Sequence, residues 1–310
     1  MAINITEVCS YENYGRCLRL DNGETEALVT LDLGPRIIRY GFIGGENVFW
    51  NDLERVACNS GEDIKKYYGG NKAWYLYGGH RLWASPETSP ETYYPDNDPV
   101  EYEAVGSRLV FTPKPQTENG LQMSVAVTMN PDGSLALEHH IKNIGTVAKK
   151  FAIWALSVLA RGGLEIVPQN TDATGYLQNR VLSVWPYSDM TDGRVYFGKK
   201  YITLLQKPDA QTPFKIGTDN KNGFALYLLK ETALIKKYTH FTGEEYPDFG
   251  VSFETYTNAN FLEMETLGVY KTVQPGENTV HRETLELKIF NRVVNPRDEE
   301  DIEKAVRELL

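Results

Sequence analysis

Cysteine is scarce in this 310-residue chain. Cys9, Cys17 and Cys58 are an odd number that cannot all pair within it. Their spacing fits no metal-binding pattern, so reduced thiols and a cytoplasmic location are expected. The start, Met1-Ala2-Ile3-Asn4-Ile5-Thr6-Glu7, lacks the basic and apolar regions of a signal peptide. No apolar run approaches the roughly 20 residues of a membrane span, so no membrane partner is expected. Positive charge is also short. The 32 Lys and Arg against 42 Asp and Glu leave a net charge of −10, which argues against a nucleic-acid partner. A glycine-rich phosphate loop, a serine-centred nucleophile motif and a nucleotide fingerprint are all missing, and no cofactor is expected. Asp96, Asn97, Asp98 and Glu101 could hold a hard cation, but this stretch reads better as a turn, and no metal is expected.

What the chain has in quantity is aromatic surface. Aromatics make up 12% of it, with 19 Tyr and 5 Trp, a content that suits β-sheets or carbohydrate binding. Short alternating runs separated by Gly, Asn and Asp turns recur from Arg16–Leu20 to the long run Thr279–Phe290. This pattern predicts an all-β sandwich or barrel. Residues 51–100 break it and read as a long aromatic loop, a functional rather than a disordered one. At the end, Asn295-Pro296-Arg297-Asp298-Glu299-Glu300 reads as a helix cap. The stripe Ile302, Ala305, Val306 and Leu309 makes 295–310 a short docking helix. No linker or repeat divides residues 1–310, so one domain is expected.

The stretch Asn260–Gly268 organises the functional reading. As a strand it places Phe261, Glu263, Glu265 and Leu267 on one face and Leu262, Met264 and Thr266 on the other. Two acids among apolar residues, roughly 7 Å apart, need partners, solvent or a ligand. The expectation is the floor of a sugar-binding cleft in which one glutamate is a base.

Several segments in order resemble the galactose mutarotase-like superfamily. They are Leu33-Gly34-Pro35-Arg36-Ile37-Ile38 with Gly45-Glu46-Asn47-Val48-Phe49, then Asp132–Gly145, Glu254-Thr255-Tyr256-Thr257-Asn258, Leu262–Gly268 and Gln274-Pro275-Gly276-Glu277. The resemblance implies a β-supersandwich with a cleft across one concave sheet and an aldose 1-epimerase-like activity. Gly78–Trp83 with Pro86-Glu87 points to a branch apart from the standard mutarotases. The family's strand glutamate falls on Glu265 if Met264-Glu265-Thr266 is aligned with its motif and on Glu263 otherwise; Glu265 is preferred. Where mutarotases carry a catalytic histidine, Trp154–Ala160 has none.

Anomer exchange needs a base for the anomeric hydroxyl and an acid for the ring oxygen. Glu265 or Glu263 serves as base. His80, after Gly78-Gly79 where backbone can approach a ligand, is the expected acid, with His240 as the other candidate. Arg81 can offer paired hydrogen bonds to sugar hydroxyls or a carboxylate. Trp74, Tyr77, Trp83, Tyr93 and Tyr94 are stacking platforms or loop packing. His140 can reach the cleft if its strand faces that way, and His281 reads as part of a solvated face. A small-molecule sugar is the expected partner. A non-catalytic sugar sensor is the alternative. A glycoside hydrolase or lyase is disfavoured, because two acids on one strand face do not flank a glycosidic bond.

Overall fold

A computed structural model describes residues 2–70 and 72–310. Two large antiparallel sheets stack face to face. The first runs Asn4–Val8, Cys17–Asp21, Thr25–Thr30, Ile37–Phe42, Gly79–Ser85, Lys149–Leu159, Leu262–Leu267, Phe253–Thr257, Phe214–Thr218, Leu182–Val184, with Lys271–Val273 paired beside Lys149–Leu159. The second has the central order Leu164–Pro168, Phe224–Leu229, Thr232–Tyr238, Asn278–Ile289, Leu135–Asn143, Leu121–Met129. Alternation decides which residues meet between them. Leu262 and Met264 from the first sheet join Leu137, Ile141, Leu234 and Leu285 from the second in the main core.

The outer face of the second sheet is partly covered by the Glu299–Leu309 helix. Asp298 caps it by accepting from the Glu300 and Asp301 amides, and Ile302, Ala305, Val306 and Leu309 pack on Leu164, Ile166, Leu226 and Ile235. The outer face of the first sheet carries a separate apolar layer containing Trp74, Trp83, Trp154, Leu156, Phe261 and Leu267. Among the described residues no helix is long and apolar enough to cross a membrane.

The 51–100 region departs from the expected loop. It holds the Glu62–Tyr68 helix, the paired strands Cys58–Asn59 and Trp74–Tyr75, and the buried strand Gly79–Ser85. The two glycines before His80 serve packing rather than ligand approach. A side-chain carbon on Gly78 would lie 2.0 Å from the Trp50 carbonyl oxygen, and one on Gly79 would lie 2.5 Å from that of Ile37.

Candidate functional site

Five neighbouring strands present their outward residues to one groove. In register, Glu263 sits opposite Tyr256 and Val158, and Glu265 opposite Glu254 and Leu156. Lys215 lies opposite Tyr256, and Trp154 opposite Trp83. The groove has a volume of about 480 Å³ and is walled by Trp74, Trp83, Tyr93, Trp185 and Tyr187 around Glu263, Glu265 and Lys215. The indoles of Trp74 and Trp83 stand 5.5 Å apart, Trp83 and Trp154 5.3 Å apart, and Tyr93 meets Trp74 edge-on at 5.0 Å. The volume and aromatic walls suit a ligand of monosaccharide size.

The floor is an ionic cluster. Lys215 Nζ lies 2.7 Å from Glu254 Oε2 and 3.0 Å from Glu265 Oε2, and 4.7 Å from the ring centroids of both Trp154 and Trp185. Trp154 Nε1 donates to Glu265 Oε2 at 2.7 Å. Glu265 Oε2 thus accepts from two donors, the Trp154 indole and the Lys215 ammonium. Burial pushes the Lys215 ammonium down, but Glu254 and Glu265 outweigh it and hold it well above the ordinary lysine value. Glu263 differs. Burial, then the neighbouring Glu265, push its carboxyl up to about 8, against weaker pulls from Lys215 and Arg81. Burial likewise raises Glu254 well above the usual carboxylate range.

The Glu263 shift makes stability depend on pH. Its folded value is raised, so its contribution is full below the ordinary 4.5 and is lost as pH rises toward about 8. The slope is about 1.4 kcal/mol per pH unit in that window. Glu263→Gln removes this term. Urea denaturation at a series of pH values should show a flatter fall in stability for the variant than for the wild type between those limits. Parallel profiles would refute the assignment.

The structure places Glu263, Glu265, Trp74 and Trp83 together at the groove. Arg81 lies on the same face but beneath the indoles, its guanidinium carbon 4.2 Å from the Trp83 ring centroid and 5.3 Å from that of Trp74. Its Nε and Nη1 have no partner among the described residues, and it is not part of the groove lining. Tyr77 donates to Asn97 Oδ1 at 2.7 Å, and Tyr94 packs edge-on against Tyr68, both away from the groove. Asp96, the head of the stretch read as a turn, forms a paired contact to Arg36 at 2.7 and 3.0 Å.

None of the expected histidines faces the glutamates. His80 belongs to a strand rather than a loop, so it and Arg81 point to opposite faces, and His80 enters the inter-sheet layer. There its Nδ1 lies 2.9 Å from Ser157 Oγ and its Nε2 2.7 Å from His139 Nε2. His240 bonds Ser252 Oγ at 2.9 Å and stacks on Tyr246. His140 lies on the outer face of the second sheet, beside Glu138 and Asn278. His281 is 5% exposed and bonds Thr266 Oγ1 at 2.8 Å, so it is buried rather than on a solvated face.

Lys215, Trp154, Trp185 and Tyr187 line the groove without having been expected there, and Glu254 pairs with Lys215. The run Phe214-Lys215-Ile216 carries a usable signal, since strand alternation with both flanking residues in the core turns Lys215 outward.

The chain matches no family model and no curated protein sequence. Solved structures are similar to it in shape. A TPR-domain containing protein from Parabacteroides distasonis superposes with TM-score 0.59 at 14% identity, over 90% of this chain and 48% of the other. The chain therefore spans about half the length of that protein. A galactose mutarotase-like protein from Lactobacillus casei gives 0.55 at 12%, over 88% and 100%. The galactose 1-epimerase from Lactobacillus acidophilus gives 0.50 at 12%, over 94% and 99%. The chain has the galactose mutarotase-like fold.

Proposed function

We propose that the groove binds an aldose and exchanges its anomers, with Glu265 as base and Glu263 as acid. The observation that carries this reading is the unlike pair of carboxyls on one strand. Glu263 is raised to about 8 and keeps its proton at neutral pH, while Glu265 is held by the donors Trp154 Nε1 and Lys215 Nζ. A carboxyl that keeps its proton beside one that accepts only from donors can divide the acid and base roles. Two-residue strand spacing, roughly 7 Å, leaves room for the O–C–O unit of an anomeric centre with a hydrogen bond at each end.

The expected histidine acid is replaced in this reading, because none of the five histidines lines the groove. Glu265 takes the anomeric hydroxyl proton while Glu263 gives one to the ring oxygen, and the ring opens. Closure on the other face of the carbonyl returns both protons. Aromatic walls hold the pyranose C–H faces, and two indole N–H groups stand nearby for hydroxyls. The fold shared with the Lactobacillus acidophilus galactose 1-epimerase is consistent with this chemistry.

A second reading, sugar binding without catalysis, draws on that same lack of a histidine. Exchange spectroscopy on galactose, glucose, mannose and xylose separates the two. Anomer exchange faster than in buffer for at least one sugar is the expected result. Binding detected by calorimetry with no acceleration for any bound sugar would leave the non-catalytic reading.

A further inference from the structure

We infer that the sugar this groove selects carries a positive charge, as an amino sugar with a free amine does. The inference rests on the sugar-binding reading above and concerns which sugar. It starts from the charges that surround the groove. Glu254, Glu263 and Glu265 stand on the floor, Glu87 lines the rim, and Asp248 lies close enough to Glu254 to act on its charge. Against these acids, of which Glu263 keeps its proton at neutral pH, stand two cations. Lys215 is shared between Glu254 and Glu265, and Arg81 is capped by Trp74 and Trp83. Among the described residues Lys215 alone of the lysines and arginines lines the groove, and its ammonium is already shared by two glutamates, while Arg81 lies under the indoles outside the lining.

The groove already accommodates one ammonium. Lys215 Nζ lies 4.7 Å from two indole rings and within 3.0 Å of two carboxylates, the chemistry by which proteins recognise cationic ligands. An acceptor remains beyond those it uses. Oε1 of Glu265, which lines the groove, is buried without a hydrogen-bond partner among the described residues. An ammonium brings three donors and no acceptor, which matches such an oxygen. The indole N–H groups of Trp74 and Trp83 also have no partner among the described residues, and they match hydroxyl oxygens of the same ligand. A wholly neutral sugar would leave the excess of negative charge uncompensated in a partly desolvated site.

Isothermal titration calorimetry on the intact chain tests this. Glucosamine, galactosamine and mannosamine are compared with glucose, galactose and mannose at about pH 6.5, below the range of an α-amino group. Glucose 6-phosphate is added as the anionic probe. At least one amine should bind about tenfold or more tighter than its parent sugar, with the preference shrinking in high salt, and glucose 6-phosphate should not bind. Parent sugars that bind as tightly as all three amines, or tight binding of the phosphate, would overturn the charge preference while leaving sugar binding intact. Failure of every probe would overturn both.

Discussion

Glu265→Gln should slow anomer exchange by about a hundredfold to ten-thousandfold at neutral pH, the range for losing a general base. The amide keeps the shape of the side chain but cannot take a proton. Trp154 Nε1 retains an oxygen to donate to, and Lys215 retains Glu254 at 2.7 Å, so the groove should stay assembled. Sugar affinity should change little compared with rate. Glu263→Gln tests the acid by a different signature. Wild-type rate should fall as pH rises through about 8, where Glu263 loses its proton, and the variant should lack that descending limb. Exchange measured by NMR across pH reads both. A Glu265→Gln protein within tenfold of wild type would remove Glu265 from the chemistry.

The two glutamates were legible from sequence because a strand carries its own orientation. Phe261, Glu263, Glu265 and Leu267 repeat at period two, and the alternate residues Leu262 and Met264 are plainly core. His80 shows the opposite case. Gly78-Gly79 reads as loop punctuation, and a loop has no alternation to say whether His80 or Arg81 turns outward. Only the pairing of Gly79–Ser85 with Lys149–Leu159 settles that. Lys215 was missed for another reason. A lysine in a five-residue strand reads as solvent-facing, and its partners Glu254 and Glu265 lie on other strands. The sandwich itself follows from turns and alternation, which are local, whereas groove membership depends on which strands become neighbours.

The largest stability effect is expected at a second lysine, on the far side of the same floor. Lys236, from the second sheet, is fully buried and crosses to the first. Its Nζ lies 2.9 Å from Glu283 Oε1 and donates to Ala155 O at 3.1 Å, Ser157 Oγ at 3.1 Å and Met264 O at 3.0 Å. Met264 stands between Glu263 and Glu265, so this ammonium holds from beneath the backbone that carries both. Burial lowers Lys236 below its ordinary value, and the nearby Glu283 carboxyl opposes that shift. Breaking a buried pair strands the other charge and costs about 3–5 kcal/mol, so Lys236→Met and Glu283→Gln should each lose about that much in urea denaturation. The double variant should recover much of the loss, since the stranded charge is gone. If both single losses stay below about 1 kcal/mol, the pair does not hold the sheets together. Because Met264 O would also lose its donor, Lys236→Met should slow anomer exchange in protein that is still folded. Glu283→Gln, which leaves the ammonium in place under Met264, should slow it less.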